Sequence, residues 1–246
     1  MKRKYEITDT QHPDNSKLFQ IRAARDIPSM WIKAGDLGGY IEHEGNLSQE
    51  GDCWIGCDYS YNTVKANMQH PAGWEGWRAR VFGNARVFGN ARILGNAQLF
   101  GDTCVSGYAC VSDYACIYGT SEVSGFAVVT GNAQVFENAR VTGTPQIYGY
   151  AQIYGNAQIY GTPHICGYAH ILGKVRISGN THIVGTETIV LDENMNISGG
   201  VCISSSRQIY YSEGITAYFN SKLELIIMGT SLDIEQHKTL ARLKLS

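Results

Sequence analysis

Arginine is the residue type in this chain whose spacing offers the clearest chemistry. Arg78, Arg80, Arg86 and Arg92 fall in one short stretch with no acid between Glu75 and Asp102. A guanidinium presents forked donors that match phosphate and carboxylate, so this stretch is the best candidate for holding an anion. The plain alternative is a ring of solvated charge. Histidines come second: His164, His170 and His182 gather late in the chain, and His70 stands apart before Trp74. A general base must reach the proton it removes, and His70 carries only a weak signal for that role. The seven cysteines form no CxxC pair, Cys53 and Cys57 lack a matching second pair, and Cys104, Cys110 and Cys116 are spaced by six. There is no P-loop, nucleophile elbow or HExxH helix. No catalytic residue is therefore named, and neither is a resident cofactor.

The elements that must position these residues follow from a repeat. From Val81 to Ile189 an aliphatic residue recurs every six positions, nineteen times in phase. A small residue, usually Ala, precedes each anchor by two, and Gly, often with Asn, follows most anchors by two, as in Gly83-Asn84. Small, outward, aliphatic is a short strand whose first and third side chains share one face. Gly and Asn tolerate positive φ and turn the chain at each corner. Three sides close a triangular coil of eighteen residues, and coils stack as parallel strands about 4.8 Å apart. The chain reads as all-β: a parallel β-helix with a small N-terminal β element and a C-terminal cap of hairpin plus helix.

Units such as Val81-Phe82-Gly83-Asn84-Ala85-Arg86 resemble the hexapeptide repeat of the left-handed β-helix superfamily, which includes many acyltransferases and γ-class carbonic anhydrases. That resemblance implies left-handed winding and a homotrimer. Lys33-Ala34-Gly35-Asp36-Leu37-Gly38-Gly39-Tyr40-Ile41, Asn46–Gly51 and Cys53-Trp54-Ile55 are similar to the opening of an uncharacterised, transferase-like β-helix family of prophages and enterobacteria.

Around the repeat, residues 1–55 read as a β element, with candidate strands Lys4–Ile7 and Leu18–Ala23, and an irregular first coil carrying Ile41, Leu47 and Ile55. Residues 56–77 read as a loop over the prism, 78–191 as the β-helix, and 192–246 as a last irregular coil and cap. Beyond Ile189 the phase slips by two, and Arg207 and Glu213 then occupy small-residue positions. Ile215–Phe219 and Leu223–Met228 read as a closing hairpin. Thr230 or Ser231 is the expected N-cap of a helix through about Leu245.

Residues eighteen apart should stack, which turns the repeat into a surface map. One outward column reads Phe82, Phe100, Tyr118, Phe136, Tyr154, Leu172 and Val190. An apolar stripe of that length needs a cover, either a terminal segment or another subunit. The same map stacks His164 on His182 and puts His170 on another face. That arrangement does not converge on zinc within one subunit, so the histidines read as polar ladder residues after Gln146, Gln152 and Gln158, with no metal site.

Composition narrows the function classes. Net charge is −2, and 17% of residues are charged where about 25% is usual. This argues against a general nucleic-acid binder. No stretch approaches eighteen apolar residues, no secretory signal follows Met1, and unpaired cysteines suit a reducing compartment, so a cytoplasmic protein with no membrane partner is expected. Joined to the resemblance, these residues point to a non-catalytic phage or prophage scaffold. It would be a trimer whose intersubunit grooves hold a small anionic, nucleotide-like ligand. A CoA-dependent acyltransferase and a structural or protein-binding rod are the alternatives.

Overall fold

The structure, a computed structural model, describes residues 3–56 and 79–191. Beyond those it describes the short strands Asn196–Ile197, Val201–Ser204, Gln208–Tyr211, Thr216–Phe219, Leu225–Met228 and Lys244–Leu245. Arg78, His70, Cys57, Arg207, Glu213 and most of the expected C-terminal helix lie outside the described residues, as does nearly all of the 56–77 loop.

The hexads form a parallel β-solenoid of six coils. Each coil has three short strands, and each strand pairs with those eighteen residues before and after it. Three sheets result, here called faces A, B and C. Face A carries the anchors Val81, Leu99, Ile117, Val135, Ile153 and Ile171 in register. Face B runs from Val87 to Ile177, and face C from Ile93 to Ile183. Every one of these anchors is buried, and so is the small residue two before each. Two inward residues per side meet those of two other sides, and that narrow interior is why one of each pair is usually Ala. Thr103, Ser121 and Thr181 occupy the same buried row. Ser121 and Thr181 donate their hydroxyls to the carbonyls of Tyr118 and Ser178 (3.0 and 2.8 Å), whereas Thr103 Oγ1 finds no partner among the described residues.

The corners explain the glycine content. Gly107 has φ of 68°, and a Cβ there would lie 2.8 Å from Gly125 O and 2.9 Å from Gly125 N. Left-handed backbone and a close neighbour both select glycine at that point. Two corners depart from the rule. Asp113 (φ 58°) uses its carboxylate to accept from the Thr130 hydroxyl and from Gly131 N, bonding the coil above. Glu137 (φ 57°) is exposed.

Below the repeat, β1 (Tyr5–His12) and β2 (Asn15–Ala23) form an antiparallel hairpin, and β2 pairs antiparallel with β3 (Leu37–Ile41). β3 then pairs in parallel under face A, with Ile41 beside Val81. Leu47 bridges to Val87 on face B, and β4 (Trp54–Gly56) sets Ile55 beside Ile93 on face C. The expected irregular coil is present, built on the three expected aliphatic residues. Lys4 closes its lower end. The side chain is fully buried, and Nζ donates to Cys53 O (2.9 Å), Glu50 O (3.3 Å) and Cys53 Sγ (3.1 Å). Burial lowers the Lys4 pKa and raises that of Cys53, each group partly offsetting the effect on the other.

Two expectations change at the upper end. The two-residue slip comes between Gly185 and Ile189, not after Ile189. Gly185 still pairs with Gly167, but Ile189 pairs with Ala169, and Leu191 takes the anchor position beside Ile171. A bulge absorbs the extra residues within one strand, and face B inherits the same offset, with Ile197 beside Ile177. Val190 therefore falls opposite His170, outside the aromatic column. Coiling ends at Ile203, which pairs in parallel with Ile183 and then antiparallel with Ile209. The meander continues through the expected hairpin, Thr216–Phe219 against Leu225–Met228. Lys244–Leu245, expected to end a helix, is instead a strand antiparallel to Ile189 and Val190. An exposed backbone edge on face A is satisfied there by main-chain pairing.

Substitutions at corners and core should separate these effects. Gly107→Ala should lower stability by about 2–3 kcal/mol, because it adds left-handed strain to a backbone clash. Glu137→Gly should change stability by no more than about 1 kcal/mol, strain relief opposing the unfolded-state entropy of glycine. Thermal melts of both variants check the ordering. Thr103→Ala should raise stability by about 1 kcal/mol by removing an unpaired buried hydroxyl, read from the same melts.

Candidate functional site: an aromatic ladder beside one edge of the prism

On face A the residue after each anchor points outward and stacks on its counterpart in the next coil. Phe82 and Phe100 have ring centroids 5.1 Å apart at 10°, and Phe100 and Tyr118 lie 5.1 Å apart at 5°. Tyr118 and Phe136 follow at 4.8 Å and 2°, then Phe136 and Tyr154 at 4.6 Å and 6°. Leu172 ends the column. In-register parallel pairing gives successive rings the same backbone frame, so identical rotamers repeat at the coil spacing. The rings are half-buried within the chain. β1 and β2 join face A edge to edge below Phe82 and do not lie across the ladder.

The row before the anchors shares face A with the ladder: Arg80, Gln98, Cys116, Gln134, Gln152 and His170. Arg80 is half-buried, and its Nε is enclosed without a hydrogen-bond partner among the described residues. Burial pushes the Cys116 thiol up to about 11, with nearby Arg80 pulling the other way. Burial also raises the Tyr118 hydroxyl.

The six-residue spacing predicts one arginine on each side of a coil, and the strand pairing agrees. Arg80 is on face A, Arg86 on face B and Arg92 on face C, one guanidinium per side of the same coil. Side chains on three sheets of a prism diverge, so no single anion within one chain meets them all. Arg86 and Arg92 are exposed, and neither forms an ion pair among the described residues. Cys104, Cys110 and Cys116 likewise lie on faces B, C and A, and none of the three is in a disulfide. His164 stacks on His182 at 4.8 Å and 6°, as the eighteen-residue spacing requires, while His170 pairs beside Gln152 on face A. Among the described residues, no three His, Cys, Asp or Glu side chains come together as metal ligands.

Two further features lie at or beside the edges of the prism. Tyr108 and Phe126 stack at the B–C edge (4.9 Å, 3°), and Tyr150 and Tyr168 stack at the C–A edge (5.1 Å, 2°). These rings are about half exposed, Phe126 at 58%. Applying the same eighteen-residue period to the third residue after each anchor would have found them. The second feature is a row on face B: Arg86, Cys104, Glu122, Arg140, Gln158 and Arg176, with Arg140 and Glu122 3.9 Å apart. This row stands four residues after the ladder along the chain, just around the A–B edge.

No protein-family model matches the chain, and its sequence matches no curated protein. No helix among the described residues is long and apolar enough to cross a membrane.

The half-buried Cys116 thiol on face A carries a pH signature. The Cys116 pKa is raised on folding, from 9.0 to about 11. Its contribution to stability is therefore fully present below pH 9 and is lost as pH rises toward 11. The drop in melting temperature between pH 8 and pH 10.5 should be smaller in Cys116→Ala than in the parent protein.

Proposed function

We propose that this chain is a non-catalytic, oligomeric binding scaffold of phage or prophage type. In this reading it is a cytoplasmic homotrimer, a left-handed hexapeptide-repeat β-helix. Its intersubunit grooves hold a small anionic, nucleotide-like ligand. One observation carries the reading: face A joins an unbroken ladder of half-buried rings to a row that begins with Arg80, whose guanidinium is partly enclosed and lacks an ion-pair partner among the described residues. Rings offer stacking surface to a base, and a guanidinium offers a fork to phosphate. Arg86 and Arg92, which point away from face A, enter such a site only from a neighbouring subunit. Sequestering a host nucleotide signal is one use of a scaffold of this kind.

A second reading, a structural or protein-binding rod, draws on the uniformity of the coils, which run from Arg80 to Gly185 in constant register. A CoA-dependent acyltransferase rests on the superfamily resemblance alone. Protein purified from its native host should release an intact anionic nucleotide on denaturation, near one per subunit, detected by mass spectrometry. Release of CoA favours the acyltransferase, and an empty protein favours the rod.

A further inference from the structure

We propose that the aromatic ladder of face A packs against the Arg86-to-Arg176 row of face B in a neighbouring copy of this chain, closing a ring of copies around the A–B edge. This rests on the oligomeric reading above and specifies which rows meet.

Chain order brings the two rows together. The ladder is the outward row of face A nearest the A–B edge, and the arginine-bearing row is the outward row of face B nearest that edge, as in Phe82-Gly83-Asn84-Ala85-Arg86. A three-sided coil has corners of roughly 60°, so three parallel copies meeting at this edge leave V-shaped grooves. At the apex of each groove, the ladder of one copy confronts the arginine-bearing row of the next at the same height.

Five of the six rungs are complementary, and the sixth sets Leu172 opposite Arg176. Phe82 confronts Arg86 and Phe136 confronts Arg140, each an exposed guanidinium against a ring, the geometry of a cation–π contact. Tyr118 confronts Glu122 and Tyr154 confronts Gln158, each a phenol facing an acceptor. Phe100 confronts Cys104, which carries no charge into an apolar rung. The contact runs for roughly 24 Å at the usual strand spacing. Along the edge itself stand Asn84, Thr120, Asn138 and Asn156, with Asp102 accepting from the Asn84 amide (2.8 Å) and Lys174 at the upper end. Neither other edge puts a continuous aromatic row beside an arginine row.

The arrangement also assigns the groove walls. The outer rows remain open, with Arg80 and the glutamines on one wall and Phe88 and Tyr160 of the next copy on the other, both about 40% exposed in the single chain. An anionic ligand with a planar ring would lie between them.

Phe100→Cys tests the pairing against native Cys104. Mild oxidation should yield dimers and trimers on a non-reducing gel, whereas the parent protein and Phe88→Cys, in the outer row, should stay monomeric there. Arg140→Ala, on the exposed surface, should weaken assembly at least tenfold by sedimentation equilibrium, and Arg140→Lys should restore part of it. An assembly that neither cross-links nor responds to Arg140→Ala overturns the row pairing and leaves the oligomeric scaffold standing. A monomeric parent protein overturns both. Cross-linking without any released nucleotide upholds the pairing and removes the ligand.

Discussion

Every coil must lie in register on the one below it, each residue on its counterpart eighteen positions away. The remaining features of the molecule depend on that constraint. Main-chain bonds such as Phe100 N to Ile117 O (3.1 Å) tie each side to the next coil. They hold only if all three corners turn within the same number of residues. The corner backbone accordingly returns to positive φ every six residues from Gly83 to Gly179, even where Asp113 and Glu137 replace glycine. A side chain at such a corner must avoid the backbone of the corner above. Asp113 meets that demand by bonding to it, which makes a departure from the repeat into a strut between coils.

The same register organises the surface. A face is a set of columns, and a column of one chemical type acts as a unit. Stacked phenyl and phenol rings on face A, stacked imidazoles on face C and the charged row on face B are three outcomes of one geometry. Columns also explain why groups close in sequence do not cooperate. Arg80, Arg86 and Arg92 are neighbours along the chain, yet six residues is one side of the prism, so each points in a different direction. Of these three, Arg80 alone shares a face with the ladder.

Much of the fold was legible because the period is written in residue types whose sizes and backbone preferences act locally. Ile41, Leu47 and Ile55 announced a first coil, and the ladder was readable by counting in eighteens. The slip near Ile189 was misplaced because Ile189 fits both an anchor and an inward position two residues earlier. Aliphatic character alone does not distinguish them, whereas pairing with Ala169 does. The strand at Lys244–Leu245 was missed because it forms on an edge supplied by Ile189 and Val190, far away in sequence. That Arg80, Arg86 and Arg92 fall on three sides of one coil was legible as well, because six residues make one side of the prism.

The amino-acid sequence by itself determined the coil: which residues face inward, where the chain turns, and which outward residues share a column. Those properties follow from side-chain volume and from φ preference within a few bonds. Tertiary structure decided which columns share a face and which flank an edge, where the register slips, and which polar atoms are enclosed without partners. These depend on how coils stack, and stacking is a relation between residues eighteen or more positions apart. Arg80, Arg86 and Arg92 thus mark three sides of the prism by period alone, whereas the enclosure of the Arg80 Nε beside the ladder is a product of stacking.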